Sequence, residues 1–246
     1  EIPIMAINAG PKIVEDGLIF YLDAANPRSY DGAGNTWTDL TTDKANGTLV
    51  NMTSSSLIEE NGGVISFDGT NDYINVPAAT KTNLRGSLTV TMFAKSNYSS
   101  SDGFYSSSDT IPYWTGVSKY NQFILGPNNL RKMAFLIHDG DWHPTSYNSD
   151  VWGQSNIDFR EYHYYVGIYD KDSGLLSLYV DGNLESSFNI GSGKTLSDDP
   201  NNFTICKRDV SGIHLSASVG LIQIYNRALS AEEVLKNYNA TKWRFQ

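Results

Sequence analysis

Short apolar runs recur along the chain, separated by clusters of Gly, Asn, Asp and Ser. Leu88-Thr89-Val90-Thr91-Met92-Phe93 alternates apolar and polar positions, the period of a strand with one face on a core. Leu18–Leu22, Val64–Phe67, Tyr73–Val76, Gln122–Leu125 and Met133–Ile137 read as further strands. Tyr162–Tyr169 and Leu175–Val180 form the strongest pair, joined by the Gly-containing loop Asp170-Lys171-Asp172-Ser173-Gly174. Asp181-Gly182 then turns the chain into Leu184–Phe188, and Phe203–Cys206 and Val219–Tyr225 complete the set. Helical spacing is convincing only near the end. Ser230-Ala231-Glu232-Glu233 is an S-x-x-E capping box, with Val234, Leu235 and Tyr238 behind it. Many short strands and one late helix predict an all-β fold, an antiparallel β-sandwich of jelly-roll type with a short C-terminal helix. Residues 95–118 and 138–157 lack this regularity and are expected to be long functional loops.

Composition narrows the function. The chain has 246 residues, 40% of them hydrophobic and 12% aromatic, enough for a sizeable core. Asp and Glu number 27 against 18 Lys and Arg, a net charge of -9, which argues against a nucleic-acid partner. No apolar stretch is long enough to span a bilayer as a helix, so no membrane insertion is expected. No basic segment precedes an apolar one in the manner of a secretory signal. Cys206 is the single cysteine, which excludes internal disulfides and reads as a small buried hydrophobe. Glu1-Ile2-Pro3-Ile4 precede a natural-looking start at Met5 and read as a cloning scar, with a processed natural end as the alternative. The division expected is an extension over 1–16 and one jelly-roll domain over 17–246.

Three segments in order carry a family resemblance. They are Gly17-Leu18-Ile19-Phe20-Tyr21-Leu22-Asp23-Ala24-Ala25-Asn26-Pro27 with Thr36-Trp37-Thr38-Asp39-Leu40 and Asn46-Gly47-Thr48-Leu49, then Ile65-Ser66-Phe67-Asp68-Gly69-Thr70-Asn71-Asp72-Tyr73-Ile74, then Leu178–Gly182 with Gly220–Ser230 and its helix. Together they resemble the laminin-G-like, concanavalin A-like lectin/glucanase jelly-roll superfamily. The opening segment resembles the variant found in structural proteins of tailed bacteriophages. The resemblance implies two curved sheets face to face, with glycans bound or cleaved on one sheet and its rim loops. It also implies a virion structural or adhesion module, at the virion surface or extracellular. Its partners would be other virion subunits and cell-surface polysaccharide.

Catalysis is not expected. A glycosidase needs two carboxylates about 5 Å apart for retention, and on a strand these sit two or four positions apart. Glu59-Glu60 are adjacent, Asp158 and Glu161 are three apart, and Glu232-Glu233 belong to the helix start. No G-x-S-x-G elbow is present. His138, His143, His163 and His214 show no zinc-binding spacing.

Binding is better supplied. Sugars present apolar C–H faces and rings of hydroxyls, which flat aromatics and planar polar groups recognise. The first irregular stretch holds Tyr98, Tyr105, Tyr113 and Trp114, the second Asp141, Trp142, His143, Tyr147 and Trp152, with Gln154 and Asn156 beside them. Tyr113, Trp114, Trp142, His143, Tyr147 and Trp152 are the candidate carbohydrate-binding residues. The alternative is that these aromatics pack the loops or contact a neighbouring subunit, giving a purely structural assembly domain. A glycan hydrolase with an unrecognised site ranks third. No cofactor is required, but a structural Ca²⁺ is a candidate at Asp68, Asn71 and Asp72, with Asp23 and Asn26 as further donors. Turn chemistry explains the same residues without a metal. The pentraxin-like branch of the superfamily would place calcium ligands near Asn121 and at Lys207-Arg208-Asp209. Two of those positions are cations here, fit to meet an acidic sugar or simply solvent.

Overall fold

Alternation along the strands builds two sheets, each with one face on a shared core. The computed structural model describes residues 12–53, 56–58, 63–97, 116–127, 132–143, 157–208 and 213–245. Among them, strands numbered in chain order form two antiparallel sheets of eight. Sheet one runs β14 (Asn183–Asn189), β13 (Leu175–Val180), β12 (His163–Asp170), β7 (Leu88–Ser96), β16 (Ser216–Tyr225), β5 (Val64–Asp68), β4 (Leu57–Ile58). β1 (Leu18–Asp23) also pairs β16, along Leu221–Tyr225, whereas β5 pairs it along Ser216–Val219. Sheet two runs β11 (Trp142–His143), β10 (Met133–His138), β9 (Phe123–Pro127), β8 (Val117–Lys119), β15 (Phe203–Ile205), β6 (Tyr73–Val76), β3 (Gly47–Val50), β2 (Thr36–Trp37). The all-β sandwich with one C-terminal helix is therefore as expected.

The core lies between the sheets. Phe20, Phe67, Met92 and Tyr165 face it from sheet one; Trp37, Ile74, Phe135 and Phe203 face it from sheet two. Gly167 on β12 marks a close approach between the sheets: a Cβ there would lie 2.2 Å from Cδ2 of Phe135, so the bare backbone makes room for that ring. At the β13–β14 hairpin, Asp181 (φ 52°) and Gly182 (φ 82°) both adopt the left-handed conformation that a two-residue turn requires.

The two outer faces differ. Sheet one is covered. Its outward residues Phe93, Tyr164, Val166, Leu221 and Tyr225 cluster with Val14, Val234 and Phe245. Val234 lies on helix α1 (Ala231–Thr241), whose N-terminus is closed by the Ser230/Glu233 capping box. The stripe facing the sheet is Val234, Asn237 and Thr241; Leu235 is 46% exposed. Val14 N–H donates to Asn237 Oδ1 (2.7 Å), and the Tyr225 hydroxyl donates to Val14 O (3.0 Å). Val14, within the stretch expected as an extension, thus packs against the outward face of sheet one. Among the described residues no helix lies on the outward face of sheet two.

Candidate functional site on the outward face of sheet two

One register row crosses this face. Thr36 pairs with Thr48, Thr48 with Asn75, Asn75 with Thr204, Thr204 with Ser118, Ser118 with Ile124 and Ile124 with Leu136. Thr36 and Thr48 are exposed and Asn75 is half-buried, while Thr204, Ser118, Ile124 and Leu136 are buried. The row is polar from β2 to β8 and apolar on β9 and β10. Ser118 Oγ is buried without a hydrogen-bond partner.

A turn then lays charge across the row. Cys206 ends β15 in the left-handed conformation (φ 61°), its N–H donating to Gly116 O and its carbonyl accepting Leu215 N–H, both at 2.8 Å. The chain doubles back: Lys207 bridges to His214, and Arg208 N–H donates to Ile213 O (2.9 Å). Thr204 Oγ1 donates to Lys207 O (2.7 Å), which ties this strap to the outward face. Lys207 Nζ sits 4.1 Å from the Tyr73 ring centroid, and Arg208 Cζ 5.7 Å from that of Tyr120. Burial pushes the Cys206 thiol well above its ordinary value, so it is a structural residue and not a reactive one.

Aromatics gather at the β10–β11 end. Trp142 packs on Ile124, Ala134 and Leu136. Its ring centroid is 5.7 Å from Tyr120 and 5.0 Å from His138, both edge-on. His138 Nδ1 lies 2.7 Å from Ser197 Oγ, which orients that ring.

The sequence-derived candidates divide. Trp142 and His143 were expected on a loop and instead form edge strand β11, pairing with His138 and Ile137. Adjacent strand residues face opposite ways, so they do not act together. Trp142 faces outward. His143 Nε2 lies 2.8 Å from Asp139 Oδ1, and Asp139 also accepts from Lys194 (3.0 Å). Burial would raise the Asp139 carboxyl, but Lys194 and His143 outweigh it and hold it low. His143 thus closes the hairpin. Tyr113, Trp114, Tyr147 and Trp152 lie outside the described residues, as do Tyr98, Tyr105, Gln154, Asn156 and Asp209. The stretch 95–118 is also not all loop: β7 reaches Ser96 and β8 begins at Val117.

The calcium candidates form a hydrogen-bonded turn between β5 and β6. Asp68 Oδ1 accepts N–H groups of Thr70 (2.7 Å), Asn71 (3.2 Å) and Asp72 (3.4 Å). Burial would raise the Asp68 carboxyl, yet these amides hold it below its ordinary value. Burial raises Asp72, whose Oδ2 accepts Asp68 N–H (3.3 Å). Asn71 O accepts from Asn51 Nδ2 (3.0 Å). Asp23 meets a guanidinium, its Oδ1 accepting from Arg244 (2.8 Å), and Asn26 accepts Arg28 N–H (3.0 Å). These donors point at amides and a guanidinium, not at one shared point, so they do not fit a cation as they stand. Among the described residues no three His, Cys, Asp or Glu side chains group as metal donors.

Tyr73, Tyr120 and His138 belong to this face but were not among the sequence candidates. For Tyr73 the signal was present: Ile74 and Val76 are the core positions, so Tyr73 and Asn75 must face out. Tyr120 sits in a turn, where no period applies.

Comparison with known proteins follows the same architecture. A search of curated proteins finds no match. Among solved structures, the binding domain of Paraclostridial Mosquitocidal Protein 1 superposes with a TM-score of 0.67 at 14% identity, covering 91% of this chain and 52% of that one. Domain 4 of AbnA, a GH43 extracellular arabinanase from Geobacillus stearothermophilus solved with arabinotriose, gives 0.62 at 13% identity, covering 92% and 100%. Trypanosoma rangeli sialidase in complex with sialic acid gives 0.60 at 17%, covering 98% and 36%. The chain therefore spans about half of the first structure and about a third of the sialidase. At these identities the likeness concerns the fold. A sequence profile matches residues 68–235, more than half of the chain, and with it the chain belongs to the concanavalin A-like lectin/glucanases superfamily.

Proposed function

We propose that this protein is a non-enzymatic carbohydrate-binding module whose site is the outward face of sheet two. The observation that carries the reading is the Tyr120–Trp142–His138 cluster at the end of a polar strand row, on the sheet face that no described helix covers. A sugar's C–H face would stack on the half-buried Trp142, and hydroxyls further along a bound chain would meet Asn75 and Thr48, the accessible members of the row. None of the described strand positions on this face is Asp or Glu, which supports binding without hydrolysis. Domain 4 of the arabinanase, solved with a trisaccharide, lends the reading a structural parallel. The phage-like opening segment supports placing the module at a virion surface among other virion subunits, and genes for capsid or tail proteins on either side would test that.

The test of the site is a glycan array followed by calorimetry on Trp142→Ala. Truncating an aromatic anchor costs on the order of 2 kcal/mol, about thirtyfold in Kd. Unchanged affinity in a folded variant would refute this site. A blank array with native protein, together with burial of Trp142 in a subunit interface, would refute glycan binding in favour of assembly.

A further inference from the structure

The strap over the face carries Lys207 and Arg208, although the protein as a whole has a net charge of -9. Resting on the carbohydrate reading above, we infer that this site selects acidic saccharides, chains bearing repeated carboxylates, through Lys207 and Arg208.

Three observations carry this. First, the two side chains diverge. Lys207 lies over Tyr73 on β6, and Arg208 approaches Tyr120 in the turn after β8. Strand β15 lies between β6 and β8, and Tyr73 and Tyr120 flank the polar row on opposite sides, so the two positions are at least two strand spacings, about 10 Å, apart. Two separated cations match two successive monoanions along a chain better than one compact dianion. Second, the strap is fixed rather than dangling. The bridge from Lys207 to His214, the bond from Arg208 N–H to Ile213 O and the bond from Thr204 Oγ1 to Lys207 O hold its backbone against the sheet. Side chains on a fixed backbone lose less freedom on binding. Third, the present position of Lys207 is weak. Among the described residues its ammonium has a ring beneath it and no carboxylate partner. A lysine over a tyrosine ring at a partly exposed site holds it less firmly than a charge-assisted hydrogen bond to a carboxylate would. An incoming carboxylate therefore gains more than it displaces. Arg208 adds a second positive charge, beside Tyr120.

The experiment compares carboxylate-bearing polysaccharides (galacturonan, alginate, hyaluronan) with the same chains after reduction of their carboxyls to neutral alcohols, using full-length protein at low salt. At least one acidic member should bind tenfold or more tightly than its reduced counterpart. Lys207→Gln and Arg208→Gln should each shrink that preference about tenfold, with melting temperature unchanged. Lys236→Gln, on the helix over the other sheet, should leave it intact. If neutral forms bind as well as acidic ones, the charge inference is overturned and the carbohydrate reading stands. Tighter binding of a sulfated dextran than of any carboxylate chain overturns the carboxylate assignment. If no carbohydrate of either kind binds, both readings fall.

Discussion

Gly167→Ala tests how tightly the two sheets are keyed together. The added Cβ would lie 2.2 Å from Cδ2, 2.3 Å from Cγ and 2.8 Å from Cε2 of Phe135. Carbon atoms in contact prefer 3.5–4.0 Å, so the ring must retreat by more than an ångström. Phe135 is fully buried on β10, with no solvent-facing rotamer to take. Gly167 is paired on both sides, with Val90 and Leu178, so its strand is held as well. Overpacking of this kind costs about 1–3 kcal/mol. Gly167 does not adopt positive φ, so alanine fits the backbone and returns about 0.5–1 kcal/mol of chain entropy. An approach of 2.2 Å puts the cost in the upper part of that range, so the net expectation is a loss of about 1–2.5 kcal/mol, read as a lower urea midpoint at unchanged slope. The control is Phe135→Leu. Alone it destabilises by leaving space; combined with Gly167→Ala it should give a double mutant more stable than the sum of the singles by about 1 kcal/mol or more. A Gly167→Ala protein as stable as the parent, or strictly additive singles, would refute the keyed contact.

Two further outcomes follow from buried charge. Asp39, fully buried, accepts from the Lys81 ammonium (2.6 Å), the Thr41 hydroxyl and the N–H groups of Tyr21, Thr41 and Ala45. Asp39→Ala strands these donors and should cost about 3 kcal/mol or more by urea unfolding, whereas a loss below about 1 kcal/mol would show that the network is dispensable. His163 sits 2.6 Å from Asp181; burial lowers its pKa, but the carboxylate outweighs burial and raises it above 6.5. Its contribution is therefore complete below pH 6.5 and disappears as pH rises through the higher folded value. His163→Gln should flatten that part of the stability–pH curve, and an unchanged curve would show that the pair is neutral to folding.

Much of this fold was legible because its longer strands carry enough positions to reveal a period. Met133–His138 sends Met133, Phe135 and Ile137 to the core, and Asp181-Gly182 and Ser230–Glu233 name their own turn and cap. The strands that escaped are short: Thr36–Trp37, Gly47–Val50, Leu57–Ile58, Val117–Lys119 and Trp142–His143. Two to four residues hold too little of a period to read, and their pairing is decided by neighbours distant in sequence, as when Thr204 finds Ser118. Val14 escaped for a related reason, since its partners, Asn237 and Tyr225, lie at the far end of the chain.

The same physics explains why the candidate site was only half visible. Aromatic content draws the eye to Trp142, but whether a residue on a short strand faces core or solvent depends on register, and register is a tertiary fact. Trp142 and His143 are neighbours in sequence with opposite fates, one meeting Tyr120 and His138 edge-on, the other closing a hairpin through Asp139. The cationic pair is a sharper case. Lys207 and Arg208 are conspicuous in an acidic chain, yet nothing local predicts that Cys206 turns left-handed. That conformation is held by Gly116 O on one side and Leu215 N–H on the other. Without it, β15 would continue and send Lys207 and Arg208 to opposite faces of the sheet. With it, both side chains reach outward rings, Tyr73 and Tyr120, on either side of the polar row. The buried cysteine therefore contributes to the site through its backbone.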